Sequence, residues 1–114
     1  MATIFSKIID GQIPCHKVAE SDTCIAFLDI RPLVEGHTLI VPKMEVDRLF
    51  DLPDELYQDL FVFAKKVAFG IKASYPCDRV GMAVVGLEVP HAHIHLMPIN
   101  ALSDMDFALS LIHI

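Results

Sequence analysis

His91, His93 and His95 occupy alternate positions in the run His91-Ala92-His93-Ile94-His95-Leu96-Met97 and make up half of the six histidines in the chain. A strand alternates its side chains between two faces. The spacing therefore predicts three imidazoles on one face, about 6.5–7 Å apart along the strand, with Ala92, Ile94 and Leu96 on the other face against a core. A single histidine in an apolar strand is ordinarily a satisfied core residue. Three in strict alternation each need hydrogen-bond partners of their own, which points to a site. Imidazole, with an unperturbed pKa of about 6.5, is neutral and nucleophilic at neutral pH. It can attack phosphorus to form a covalent phosphoramidate that water hydrolyses, given a partner that fixes its tautomer and donors for the phosphoryl oxygens. That chemistry requires no metal. The competing reading is zinc, since His-x-His on a strand is half a zinc site. Positions i, i+2 and i+4 on a straight strand do not easily converge on one ion, so zinc would need a further ligand such as His37 from a neighbouring strand.

The elements that must hold this row are legible in outline. Apolar residues at 4, 5, 8 and 9 predict a short N-terminal helix that Gly11 and Pro14 end. Phe5, Ile8 and Ile13 then either cover the sheet or wall an apolar pocket for a base. Residues 17–22 and 23–30 read as two strands joined by a turn at Ser21-Asp22. Asp29, between Leu28 and Ile30, either caps the Arg31-Pro32 turn or holds a ligand. After the 31–36 loop, Leu39-Ile40-Val41 reads as a central strand with His37 at its start. Pro53 with Asp54 and Glu55 opens a helix that runs to about Ala73. Leu56, Leu60, Phe63, Val67 and Ile71 form one apolar stripe on it. Tyr57, Phe61, Ala64 and Ala68 form a second, read as a self-association face. Residues 79–85 are strand-like, with Val80, Met82 and Val84 on one face, and residues 86–90 form a loop into the histidine run. The tail from Asn100 carries no pattern, and His113 in it reads as incidental.

Length and composition restrict the functions available. A chain of 114 residues is expected to form one domain with an adequate core. Its mean hydropathy of +0.48 with no run approaching about 20 apolar residues predicts burial against another subunit and no membrane span. A net charge of −6 argues against a phosphate-tracking surface for a nucleic acid polymer. Three cysteines, Cys15, Cys24 and Cys77, with no Cys-x-x-Cys and no signal-peptide pattern, predict reduced thiols and a cytoplasmic protein.

The run 91–97 fits His-φ-His-φ-His-φ-φ, with φ apolar, without a gap. With Ile-Phe-Ser-Lys-Ile-Ile-Asp-Gly-Gln-Ile-Pro (4–14), Ala-Phe-Leu-Asp-Ile (26–30) and Gly-His-Thr-Leu-Ile-Val-Pro-Lys (36–43), the chain resembles the histidine-triad (HIT) family, in its Hint-like branch, over about residues 4–98 of a single 1–114 domain. The resemblance implies an α+β fold: an antiparallel sheet of about five strands with one long helix and a short N-terminal helix, paired as a homodimer. It implies a nucleotide phosphohydrolase or nucleotidyl transferase acting at the α-phosphate of a purine nucleotide conjugate (phosphoramidate, adenylate or dinucleoside polyphosphate), without a cofactor. By position, His93 resembles the nucleophile, His95 the α-phosphate and leaving-group contact, His91 the residue that orients the nucleophile through its carbonyl, and His37 a supporting histidine. Asp29 matches the acid that holds the ribose, and Phe5, Ile8, Ile13, Phe27 and Ile30 match the base pocket. The sequence departs from relatives that carry Asn-x-Gly-x-x-Ala-Gly-Gln before the triad. Val84-Val85-Gly86-Leu87-Glu88-Val89-Pro90 offers neither amide, and Glu88 falls where Ser or Thr is common. Zinc-binding members use Cys-x-x-Cys and a histidine where this chain has Thr3, Ser6 and Glu45, so the resemblance implies no structural zinc. Two alternatives stay open on sequence alone: a nucleotide-binding module without turnover, and a histidine-rich metal-binding protein.

Overall fold

The computed structural model describes residues 2–107; His113 and the rest of 108–114 lie outside the described residues. A short helix α1 (Ile4–Ile9) is followed by strands β1 (Lys17–Glu20), β2 (Cys24–Leu28) and β3 (Thr38–Pro42), then the long helix α2 (Asp54–Ser74), and finally β4 (Arg79–Ala83) and β5 (Ile94–Ile99). The strands form one antiparallel sheet in the order β1-β2-β3-β5-β4.

Strand alternation divides the core in two. The register places Ala26, Ile40 and Ile94 in one row across the sheet, and Phe27, Leu39 and His95 in the adjacent row. The first row, with Cys24, Ala92 and Leu96, packs under α2 against Leu56, Leu60, Ala64, Val67 and Ile71. The opposite face gathers Ile25, Phe27, Leu39 and Val41 beneath Phe5 of α1. One face of the sheet thus builds the domain, while the other carries a histidine under a thin cover.

Helix α2 starts where Pro53 and the first-turn acids predict, but its outward face differs from the expectation. Ala64 is fully buried in the core, and Tyr57, Phe61, Phe63 and Ala68 are half-buried against it. The large apolar side chains exposed on α2 are Val62 and Phe69. The reason is geometric: a sheet-packed helix buries more than a narrow stripe, so the second row lies on the flank of the first.

Gly36 sets the approach to His37. It has φ +89°, and a Cβ there would lie 2.9 Å from the Tyr75 ring and 3.1 Å from Pro98. Gly36→Ala is expected to cost about 1–3 kcal/mol, from the left-handed backbone together with this close approach. Thermal unfolding reads this directly, and an unchanged Tm would mean that the turn accepts a side chain.

Candidate active site

The second sheet face opens into a cavity of about 370 Å³. It is bounded by α1 and Ile13, by the end of β2 and the 29–33 turn, by the 85–89 loop, and by Phe107. Phe5, Ile8, Ile13, Phe27, Asp29, Ile30, His37, His93 and His95 all line it; His91 does not.

The histidine run is strand only from Ile94 onward, although the expected faces persist before it, with Phe5 against both His91 and His93 and Ala92 in the α2 core. β5 begins at Ile94. Before it, Pro90 has no N–H, the His91 N–H turns back to the Val89 carbonyl (2.8 Å), and the Ala92 N–H leaves the sheet for the Val46 carbonyl (2.7 Å). The His93 and His95 rings meet edge-on with centroids 4.9 Å apart. The fully buried His91 is held between Thr3 and Pro42 instead.

Hydrogen bonds fix the protonation of every ring nitrogen for which a fixed partner is present. The His93 Nδ1 faces the His91 carbonyl at 2.8 Å, so it must donate. Neutral His93 then keeps its lone pair on Nε2. On His37, Nδ1 accepts the Leu33 N–H (3.1 Å), so the proton sits on Nε2 and is donated to Nδ1 of His95 at 2.9 Å. His95 therefore carries its own proton on Nε2. Two adjacent imidazoles result, one with a free lone pair and the other with a free N–H. This is the nucleophile-and-donor pair that the chemistry requires.

Burial keeps these rings neutral. It is the largest influence on all three and lowers each pKa: His95 to about 4, reinforced by His93 and His37, with His93 and His37 also below their ordinary value. Asp29 opposes the shift in His37 but does not reverse it, so the 3.6 Å approach of Asp29 Oδ2 to His37 Nε2 is a polar contact and not an ion pair. The other Asp29 oxygen accepts the Arg31 N–H at 2.9 Å. Asp29 thus caps the turn, as one reading of the sequence held, and also lines the cavity. Above pH 6.5, the ordinary histidine value, neither the folded nor the unfolded chain protonates His95, and the ring costs nothing; between there and about 4 the unfolded chain binds a proton that folded His95 refuses. Stability is therefore expected to fall as pH falls through that window. Thermal unfolding at about pH 7 and pH 5 checks it, with the decline smaller in His95→Asn; a pH-independent Tm would contradict it.

A HIT-domain family profile matches residues 10–102. The chain belongs to the HIT family. Among HIT relatives, it is 42% identical over 98 residues to the adenosine 5′-monophosphoramidase HNT1 of Saccharomyces cerevisiae, covering 85% of this chain and 62% of that protein. To the adenosine 5′-monophosphoramidase of Schizosaccharomyces pombe it is 37% identical over 99 residues, covering 86% of this chain and 74% of that one. The chain thus spans less than two-thirds of the length of the first relative. A HIT family crystal structure from Bacillus anthracis superposes with TM-score 0.82 at 39% identity, covering 89% of this chain and 75% of that one. The expected HIT fold, a five-stranded antiparallel sheet with one long and one short helix, is the one observed.

Within this HIT site, a metal finds a poor seat. Asp29, His37 and His95 bring ligand atoms within 4.8 Å of one another. For His37 to ligate through Nε2, its proton must move to Nδ1, where it would face the Leu33 N–H at 3.1 Å, donor against donor. The donor set fits a hydrogen-bonded chain better than an ion.

Sequence reasoning missed one wall of the cavity. The tail residue Phe107 packs edge-on against His95, centroids 4.8 Å apart, and reaches His37 at 6.3 Å. It is anchored by the 3-10 turn Leu102–Met105, whose Met105 occupies the space that a Cβ on Gly81 would need. A glycine in an edge strand marks such close approaches, and Gly81 was the available signal. The 85–89 loop lines the same cavity, and the charge of Glu88 in it favours the protonated form of His93 against the dominant effect of burial.

Proposed function

We propose that this HIT protein is a nucleotide phosphohydrolase, or nucleotidyl transferase, that acts at the α-phosphate of a purine nucleotide conjugate, adenosine 5′-phosphoramidate first among them. The observation that carries the reading is the tautomer pair: His93 with its Nδ1–H given to the His91 carbonyl and its Nε2 lone pair free, beside the free Nε2–H of His95. The two relatives named as adenosine 5′-monophosphoramidases support the substrate class.

In this reading the base enters between Phe5, Ile8, Ile13, Phe27 and Ile30, and Asp29 accepts from the ribose hydroxyls. Nε2 of His93 attacks the α-phosphorus as the bond to the leaving group breaks, and that group departs carrying a proton drawn from solvent, as ammonia in the case of the phosphoramidate. The His91 carbonyl stabilises the cationic nucleotidyl-imidazole through Nδ1–H, and water then releases the nucleotide. The Nε2–H of His95 hydrogen-bonds the phosphoryl or leaving atom. The side chains of the 84–90 loop supply no amide donor, so turnover is expected to be slow: loss of one preorganised donor costs about 10²–10³ in rate.

The same reading includes a homodimer. Its support is the set of exposed large apolar side chains that includes Val62 and Phe69 of α2, Met82 on the edge strand β4 and Val84 just beyond it. Sedimentation as a dimer is the expected result. A cytoplasmic location is proposed from Cys15, Cys24 and Cys77, all unpaired thiols. No helix among the described residues is long and apolar enough to cross a membrane. The function is tested by AMP release from adenosine 5′-phosphoramidate with and without EDTA. Release that survives EDTA supports the reading, and none from pure protein would overturn it.

A further inference from the structure

The backbone that carries the nucleophile has little support from the sheet. His91 and Ala92 precede β5, and their N–H groups go to Val89 and Val46 instead of to the neighbouring strand. Yet the His91 carbonyl must stay 2.8 Å from Nδ1 of His93 to hold that ring in its nucleophilic tautomer. Something other than the ladder must fix it.

The fully buried His91 imidazole is pinned at both ends. Its Nε2 lies 2.8 Å from the Pro42 carbonyl and so donates, which leaves Nδ1 as an acceptor. Thr3 Oγ1 is 2.9 Å from Nδ1, and Ser6 Oγ is 3.5 Å away. The Ser6 hydroxyl proton is taken by Glu45 Oε1, which also accepts the Thr3 N–H at 3.3 Å. These two donors hold the Glu45 carboxyl below its ordinary pKa, so it remains an acceptor only. Thr3 Oγ1 itself accepts the Ser6 N–H at 3.0 Å as the N-cap of α1, and the nearer acceptor for its own proton is His91 Nδ1 at 2.9 Å, with Ser6 Oγ at 3.2 Å. Phe5, two residues on, packs its ring edge-on against both His91 (5.8 Å) and His93 (5.0 Å).

We infer that Thr3, held in place by Ser6 and Glu45, is a positioning residue that fixes the His91 imidazole and, through the His91 carbonyl, the reactive tautomer of His93. The inference rests on the proposed role of His93 as nucleophile, and its geometry can be tested without turnover. Thr3 is buried 88 residues away in sequence from the histidine it serves. A hydroxyl that served only as a helix cap would affect stability without altering His93.

The test compares wild type, Thr3→Val, which removes the hydroxyl at constant shape, and Thr3→Ser, which restores it. Imidazole ¹⁵N NMR reads the tautomers, and steady-state kinetics on adenosine 5′-phosphoramidate reads kcat and KM. The expected result for Thr3→Val is a His93 spectrum shifted from pure Nδ1–H toward a mixture, with kcat down about ten- to a hundredfold and KM within about twofold. Thr3→Ser recovers both readouts. An unchanged His93 tautomer in Thr3→Val overturns the inference, as does a loss carried by KM alone, which would mark a pocket-wall effect through α1. Should Thr3→Val not fold, the exposed Glu45→Ala, which frees Ser6 and Thr3, is expected to shift the same two readouts in the same direction. Inactive wild-type protein would sink the proposed function and leave the tautomer comparison to decide this inference.

Discussion

His93→Ala lowers turnover of adenosine 5′-phosphoramidate by about 10⁴ or more, while AMP still binds, because removal of a covalent nucleophile leaves only the binding and electrostatic parts of catalysis. His93 is the ring whose Nδ1 proton is committed to a carbonyl, and burial keeps it unprotonated. Its ring lines the cavity and stands edge-on to Phe5 at 5.0 Å, so the alanine substitution enlarges that cavity and leaves the α2 core intact, and the variant should fold. The check is kcat with AMP affinity measured in parallel. A loss of tenfold or less would assign the nucleophile elsewhere, since about 10⁴ is the scale for a group that forms the bond.

His95→Ala is expected to lower kcat by about 10²–10³, the scale for one preorganised donor to developing charge. The donor is Nε2–H, held in that tautomer by the chain Leu33 N–H to His37 to His95. With a pKa near 4, His95 acts as a neutral donor over the physiological range. The loss should therefore be greater for a poor leaving group such as ammonia than for an aryl alcohol, which leaves with less help. Comparing a phosphoramidate with an aryl ester of AMP tests this. An equal loss on both would confine His95 to the non-bridging oxygens.

The two sheet faces were legible because strand alternation is local. Ala92, Ile94 and Leu96 fall under α2, and Phe27 and His95 fall on the cavity side, as a period of two requires. The apolar residues singled out for a base, and Asp29, line one cavity because they sit at the ends and turns of elements whose order the sequence already marks. What was not legible is convergence over long separations. The resemblance groups Thr3, Ser6 and Glu45 as one cluster in zinc-binding relatives, but nothing local shows that here Thr3 hydrogen-bonds His91, 88 positions away, with Glu45 behind it on Thr3 and Ser6, and nothing in the tail announces Phe107 beside His95. The alternation of faces persists even before β5: Phe5 packs edge-on against both His91 and His93, while Ala92 joins the α2 core. What the pattern did not show is that the strand begins only at Ile94, with the Ala92 N–H given to the Val46 carbonyl in the stretch before it.

The measurement that bears most directly on the covalent nucleotidyl-His93 is the stereochemical course at phosphorus. An adenosine 5′-phosphoramidothioate of single configuration, hydrolysed in ¹⁸O-water, yields product whose configuration counts the displacements. Two in-line steps, first by His93 and then by water, give net retention, and retention is the predicted result. Net inversion would mean that water attacks the substrate directly, with His93 as a base, and the covalent account would be wrong.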